Sequence, residues 1–172
     1  EEQFVLLIVG WRLDEEISDE FLQMLDSVCR KDARIVAAFM GKYQNYEESI
    51  KKYPLLAANS RCLEAQEDAL AVTECMDLYV NPKRNGGGSS VAEALYKGLP
   101  AVTLPVGDVS AAAGESFRVA DYGEMAETIL HFASDEDYYE RMSRLAEERA
   151  EQLMDSKNSF CGVIDELEQD MN

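Results

Sequence analysis

Asn81-Pro82-Lys83-Arg84-Asn85-Gly86-Gly87-Gly88-Ser89-Ser90 joins an apolar run, Asp77–Val80, to an amphipathic one, Val91–Tyr96. Pro82 carries no N–H and cannot continue a central ladder, so the strand stops there. Three successive glycines tolerate positive φ and leave backbone amides uncovered. Ser89 and Ser90 add hydroxyl donors just where a helix begins, and a helix start presents free N–H groups and the positive end of a dipole. Lys83 and Arg84 add local positive charge. The stretch reads as a strand-to-helix anion site, expected to hold the diphosphate of a nucleotide. A purely structural account competes with this. Ser90-Val91-Ala92-Glu93 fits a capping box, which explains Ser90 and Glu93 without any ligand. Three consecutive glycines exceed what a cap requires. The turn is neither a Walker A loop nor the dinucleotide Gly-x-Gly-x-x-Gly that follows a first strand.

Outward from this turn, two kinds of segment alternate. Apolar, β-branched runs at Phe4–Val9, Arg34–Met40, Asp77–Val80, Ala101–Leu104 and Phe117–Val119 read as buried strands, with a weaker candidate at Ala58–Leu63. Between them lie stretches with apolar residues three and four apart: Ile17–Val28, Tyr46–Tyr53, Ala65–Cys75 and Val91–Tyr96. Strands apolar on both faces and separated by helices predict a parallel sheet covered on both sides. Right-handed crossovers then give an α/β, doubly wound, Rossmann-like domain of six strands in the order 3-2-1-4-5-6. After Val119 the pattern predicts only helices, at Tyr122–Ala133, Asp135–Leu153 and Asn158–Met171.

That strand order opens a crevice between strands 1 and 4. The loops converging there are the glycine turn and Gly10-Trp11-Arg12, with Gly10 for close approach and Arg12 for a phosphate. Gly107-Asp108-Val109-Ser110-Ala111-Ala112-Ala113-Gly114, after the fifth strand, is expected to border the same cleft as a loop. Backbone groups near Arg61-Cys62-Leu63 could reach a base.

Composition bounds the rest. At 172 residues the chain is one domain, and 47% hydrophobic residues suffice for a good core. A net charge of −18 repels nucleic acid and anionic lipid, so an anionic ligand must be held by local positive groups. No run of roughly 18 apolar residues suggests a membrane span. Cys29, Cys62, Cys75 and Cys161 form no Cys-x-x-Cys pair, and one histidine, His131, cannot complete a usual zinc set. Reduced thiols, no metal and a cytoplasmic location are expected. The chain starts almost directly on a strand, which fits either a natural terminus or a piece cut from a longer protein.

Asp77 to Pro82, Gly86-Gly87-Gly88-Ser89-Ser90-Val91-Ala92-Glu93-Ala94-Leu95 and Gly98-Leu99-Pro100-Ala101-Val102-Thr103 together resemble the C-terminal half of GT-B fold glycosyltransferases. The resemblance extends to Phe117-Arg118-Val119 and the helices after it. It implies a nucleotide-sugar donor, with UDP as the guessed nucleotide, its diphosphate on the glycine turn. Glu93 matches the glutamate that binds ribose hydroxyls, and Gly10 and Arg12 match the basic segment after the first strand. It also implies an N-terminal acceptor domain as partner, so that residues 1–172 would be the excised C-terminal half of a two-domain enzyme. Two positions depart from the family pattern. Asn85 stands where many retaining members have a second glutamate, and Ile17 where many have a lysine. The alternatives are a nucleotide-sugar epimerase of the same fold, which needs histidine and carboxylate acid/base groups near the sugar, and a degenerate scaffold that binds a protein partner.

Overall fold

The computed structural model describes residues 2–155, and its centre is β1 (Phe4–Gly10). Leu6, Leu7 and Ile8 are buried on both faces of this strand. β2 (Ile35–Gly41) pairs with β1 in parallel, in a register running from Phe4 opposite Ile35 to Gly10 opposite Gly41. β3 (Ser60–Leu63) extends the sheet beyond β2. On the other side β1 meets β4 (Leu78–Val80), which in turn meets β5 (Ala101–Val102). The order is β3-β2-β1-β4-β5, all parallel.

Helices cover the sheet where the apolar spacing requires it. α1 (Leu13–Glu16) is a single turn whose Leu13 is fully buried. α2 (Asp19–Lys31) begins later than the spacing suggests, because Ser18 is its cap and accepts from Phe21 N–H at 3.2 Å. Phe21, Leu22, Leu25 and Val28 face the core. One helix was expected over Tyr46–Tyr53. It stops early, as α3 (Tyr46–Ile50), and a separate short helix, α4 (Pro54–Ala58), follows it, begun by Pro54, whose ring suits the first turn of a helix. α5 shrinks to Ala69–Thr73, its start fixed by the Asp68 carboxylate accepting from Ala71 N–H at 3.0 Å. α6 (Gly88–Tyr96) follows the glycine turn.

Two expectations are corrected. Gly107–Gly114 is not a loop: Gly107–Ala113 forms α7, whose Val109, Ser110 and Ala113 are buried. Small side chains that gave no strong periodic signal let this helix pack closely on α6. The sheet also has five strands rather than six. Gly114, at φ +87, turns the chain into a 3-10 turn at Glu115–Phe117. What remains of the sixth strand is one parallel bridge between Thr103 and Arg118, with Thr103 N–H donating to Phe117 O and Val119 N–H to Thr103 O, both at 2.9 Å. α8 (Tyr122–Ser134) and α9 (Glu136–Met154) follow, capped by Asp121 and Asp135. α8 packs on α2, and α9 packs on α6 and α8. The expected helix Asn158–Met171, and Cys161, lie outside the described residues. No helix among the described residues is long and apolar enough to cross a membrane.

Candidate functional site

The chain reverses its direction of winding between β1 and β4, so the loops leaving their C-terminal ends part and leave a crevice. The crevice is a cleft of about 390 Å³, lined by Gly10 at the end of β1 with Trp11 and Glu16 beyond it, Gly41 at the end of β2, Ala65, Gln66 and Ala69 near α5, and Arg84, Gly87, Ser89 and Ser90 from the glycine turn. A second cavity of about 500 Å³ adjoins it, shares Trp11, Gly41 and Ala65, and is walled by Tyr43, Tyr46 and Cys62. Trp11 stands at their common rim, 73% exposed.

The turn starts its helix earlier than a capping box would. Gly87, at φ 111, is the residue before the helix, and Val91 N–H donates to its carbonyl at 3.0 Å. Only glycine adopts that φ freely, and an added Cβ would come 2.9 Å from Asn81 Oδ1 and 3.0 Å from Arg84 Nη2. Ser90 therefore sits inside the first turn rather than at the cap. Its hydroxyl donates to Gly87 O at 3.0 Å and lies 2.9 Å from the Tyr79 hydroxyl. The box with Glu93 is not made, and Glu93 is exposed.

Beneath the turn runs a buried polar network. The Arg84 side chain is only 6% exposed. Its Nε donates to Asn81 Oδ1 at 2.9 Å, Nη1 to Glu16 Oε2 at 2.6 Å, and Nη2 to the Val9 carbonyl. The planar guanidinium fork can meet partners in several directions at once, which a lysine could not. Arg84 thus ties the glycine turn to the end of β1, and it fills the space beside Gly10, where an added Cβ would lie 2.5 Å from Nη1. Burial pushes the Tyr79 phenol above its ordinary pKa, with the Arg84 charge opposing the shift. The β2 loop is held independently. Asp14 accepts from Asn45 N–H at 2.7 Å and Gln44 N–H at 2.9 Å, and these bonds keep its carboxyl below the usual range.

Gly10, Arg84, Gly87, Ser89 and Ser90 come together on the cleft wall, as the sequence suggested. Arg12, Lys83, Asn85, Gly86, Gly88 and Glu93 do not line it. Arg12 is exposed and pairs with Glu15 at 3.3 Å. Gly86 faces open space, while Gly88 lies under the Asp108 carboxylate, 3.1 Å from an ideal Cβ to Cγ. Asn85 O accepts from Asp108 N–H at 3.0 Å. Cys62 borders the second cavity rather than the first. Sequence reasoning missed Glu16, Gly41 and Gln66, and it placed Asp108 in a loop rather than in the first turn of α7. Glu16 stood in an acidic run that reads as a solvated face, and nothing local signals its pairing with Arg84. Among the described residues no group of His, Cys, Asp and Glu could hold a metal ion. His131 lies outside the cleft, stacked on Tyr138 at 3.9 Å between ring centroids.

A family model described as "Glycosyl transferases group 1" matches residues 3–135. A search of curated protein sequences found no match. Among solved structures, the fold is similar to WaaG, a glycosyltransferase involved in lipopolysaccharide biosynthesis, with a TM-score of 0.75 and 17% identity over 88% of this chain and 43% of that one. It is similar to a mutant of the Thermobaculum terrenum O-GlcNAc transferase, with a TM-score of 0.79 and 16% identity over 98% of this chain and 36% of that one. It is also similar to Anabaena HepE in complex with UDP and glucose, with a TM-score of 0.76 and 16% identity over 98% of this chain and 49% of that one. This chain spans less than half the length of each of these three.

Proposed function

Starting from a chain that belongs to the group 1 glycosyl transferases and has the fold of a GT-B C-terminal domain, we propose that it is the donor-binding domain of a glycosyltransferase. It binds the nucleoside diphosphate of a nucleotide sugar, and the sugar passes to an acceptor held by an N-terminal partner domain. The observation that carries this reading is the Gly87 turn, which opens α6 into the cleft between the β1 and β4 loops. Amides at the start of α6, its dipole and the hydroxyls of Ser89 and Ser90 form the diphosphate wall. Glu93, exposed further along α6, is assigned to the ribose, and Lys83 and Arg12 to the rim. Gly86, which faces open space, leaves room for the phosphates, Gly88 offers its amide at the start of α6, and Asn85 borders the donor sugar. UDP is the nucleotide proposed, in keeping with the HepE complex.

In the reaction, an acceptor oxygen forms a bond to the anomeric carbon as that carbon's bond to the diphosphate oxygen breaks. The acceptor proton leaves to a base or to solvent, and the nucleoside diphosphate departs with the bonding electron pair. The α6 amides stabilise its developing charge, so the proposal invokes no metal. The free thiols Cys29, Cys62 and Cys75 suit a reducing compartment, and we assign the protein to the cytoplasm.

Calorimetric titration of the chain with UDP and other nucleoside diphosphates tests the reading. Binding is expected for at least one of them. Absence of binding at millimolar ligand overturns it. Gly87→Val should abolish that binding, and circular dichroism separates this from unfolding. If binding survives, the diphosphate lies elsewhere. A non-catalytic scaffold draws support from Ile17, which packs against the core where a lysine would serve chemistry. That reading predicts no nucleotide binding. The epimerase reading finds no histidine at the cleft.

A further inference from the structure

Glu16 brings a negative charge into the same cleft as the glycine turn. Its carboxylate is 16% exposed and engages Arg84, the one buried cation lining the cleft among the described residues, at 2.6 Å. The positive charge beneath the turn is therefore already matched inside the protein. On the far side of the turn the Asp108 carboxylate stands over Gly88. An anion on this wall meets backbone amides and hydroxyls with a carboxylate on either flank. The basic side chains nearby do not restore the balance, because Arg12 is exposed and paired with Glu15, and Lys83 is exposed.

We infer that Glu16, reinforced by Asp108, is a specificity-determining residue that shifts binding away from the free nucleoside diphosphate and toward the nucleotide sugar. The inference rests on the donor-binding reading above. In a nucleotide sugar each phosphate carries one negative charge. Once the sugar has left, the terminal phosphate gains a free oxygen whose ionisation lies near pH 6, so the product carries close to one more charge at neutral pH. A fixed carboxylate in a partly water-excluded cleft repels every phosphate charge, and so penalises the product, with its additional charge, more than the nucleotide sugar. At the phosphates themselves substrate and product differ little in shape, so on this wall charge is what separates them, alongside the contacts made to the sugar. The consequence is a product that leaves more readily than it would from a wall whose basic groups were free.

A merely structural role for Glu16 predicts something different. If the Arg84 pair served only to hold the β1 loop, removing it would weaken UDP and UDP-glucose alike.

The experiment measures dissociation constants of UDP and UDP-glucose by calorimetry for the wild-type chain, Glu16→Gln, Glu16→Asp and Asp108→Asn. The ratio of the UDP constant to the UDP-glucose constant is expected to fall about tenfold in Glu16→Gln and about threefold in Asp108→Asn. Glu16→Asp keeps the charge and should keep the wild-type ratio. If Glu16→Gln does not fold, Asp108→Asn, which alters an exposed carboxylate, carries the test alone. An unchanged ratio in the folded neutral variants, with both ligands still bound, overturns this inference and leaves the donor site standing. Failure of the wild type to bind UDP or UDP-glucose overturns this inference, and failure to bind any of the nucleoside diphosphates overturns the donor reading as well.

Discussion

A Cβ built on Gly41 would lie 2.0 Å from the carbonyl oxygen of Gly10. The two glycines are register partners at the ends of β1 and β2, where the walls of the cleft begin. Lys42 N–H donates to Gly10 O at 3.3 Å and Leu13 N–H to Lys42 O at 3.1 Å, so the two loops leave the sheet locked together. Gly41 also has φ +127, which L side chains rarely adopt. Gly41→Ala combines backbone strain with a clash against a backbone atom that has no room to move. It should destabilise the chain by about 3 kcal/mol or more in urea denaturation. Gly86→Ala, where nothing lies within 4 Å, is the control and should shift stability by less than about 0.5 kcal/mol. Equal stability of the two variants would contradict the packing described.

Asp14 gives the β2 loop a dependence on acid. Its carboxyl is held below the ordinary aspartate value of 3.8, first by the Asn45 amide and then by the Gln44 amide. A depressed native pKa means that the charged form is the bonded one. Its contribution is present above the unfolded value near 3.8 and is lost as the pH falls below it. Amide exchange at Gln44 and Asn45, followed by NMR, should therefore accelerate as pH drops through that region, beyond the intrinsic change. In Asp14→Ala the two amides should exchange fast at every pH and show no such step. Identical protection in wild type and variant would remove Asp14 as the pin.

The central strands were legible because Phe4–Gly10 and Ile35–Gly41 are apolar on both faces, which a parallel sheet under helices demands. The outer positions were harder. β3 carries Ser60 and Arg61, and the Ser60 hydroxyl is tolerated in the interior only because it meets Tyr46 Oη at 2.8 Å, a partner no local pattern reveals. Phe117–Val119 has strand composition, but Gly114 bends the chain before it and spends Phe117 on a 3-10 turn. In the site, the strand-to-helix turn that places Gly87 and Ser90 on the cleft wall was legible from local chemistry alone. Arg84 was legible as a charge but not as a buried one, because its acceptor Glu16 is 68 residues away in the chain. Distance in sequence, rather than weak chemistry, hid the polar network.

Thiol reactivity separates the cysteines. Burial first, then the neighbouring Asp26 charge, pushes the Cys29 thiol up to about 12, and its Sγ donates to Ile35 O at 3.7 Å. At pH 8 only about one in ten thousand Cys29 thiols would be ionised even if reagent could reach it. Cys62 is partly exposed, and burial followed by the Glu64 charge raises its pKa. Cys75 is exposed. Iodoacetamide at pH 8, read by peptide mass mapping, should label Cys75 first, Cys62 more slowly, and Cys29 only in denaturant. Early labelling of Cys29 in the native chain would mean that α2 opens on its own.

The Tyr79 hydroxyl links the interior of the sheet to the proposed phosphate wall. The residue is fully buried in β4, and its oxygen lies 2.9 Å from Ser90 Oγ and 3.3 Å from Asn81 Oδ1. Tyr79→Phe keeps the ring and deletes only the oxygen, so little cavity forms. The loss should be about 1 to 2 kcal/mol, the cost of unpairing buried polar neighbours. Ser90 retains its bond to Gly87 O, so α6 still starts at the same place. What the variant loses is the second anchor that fixes the Ser90 rotamer and holds Asn81 against Arg84. UDP should therefore bind roughly three- to tenfold more weakly, in proportion to one loosened hydrogen bond. Urea denaturation and calorimetric titration of the same variant check the two effects separately. A full stability loss with unaltered UDP affinity would show that the network supports the fold and not the phosphate wall.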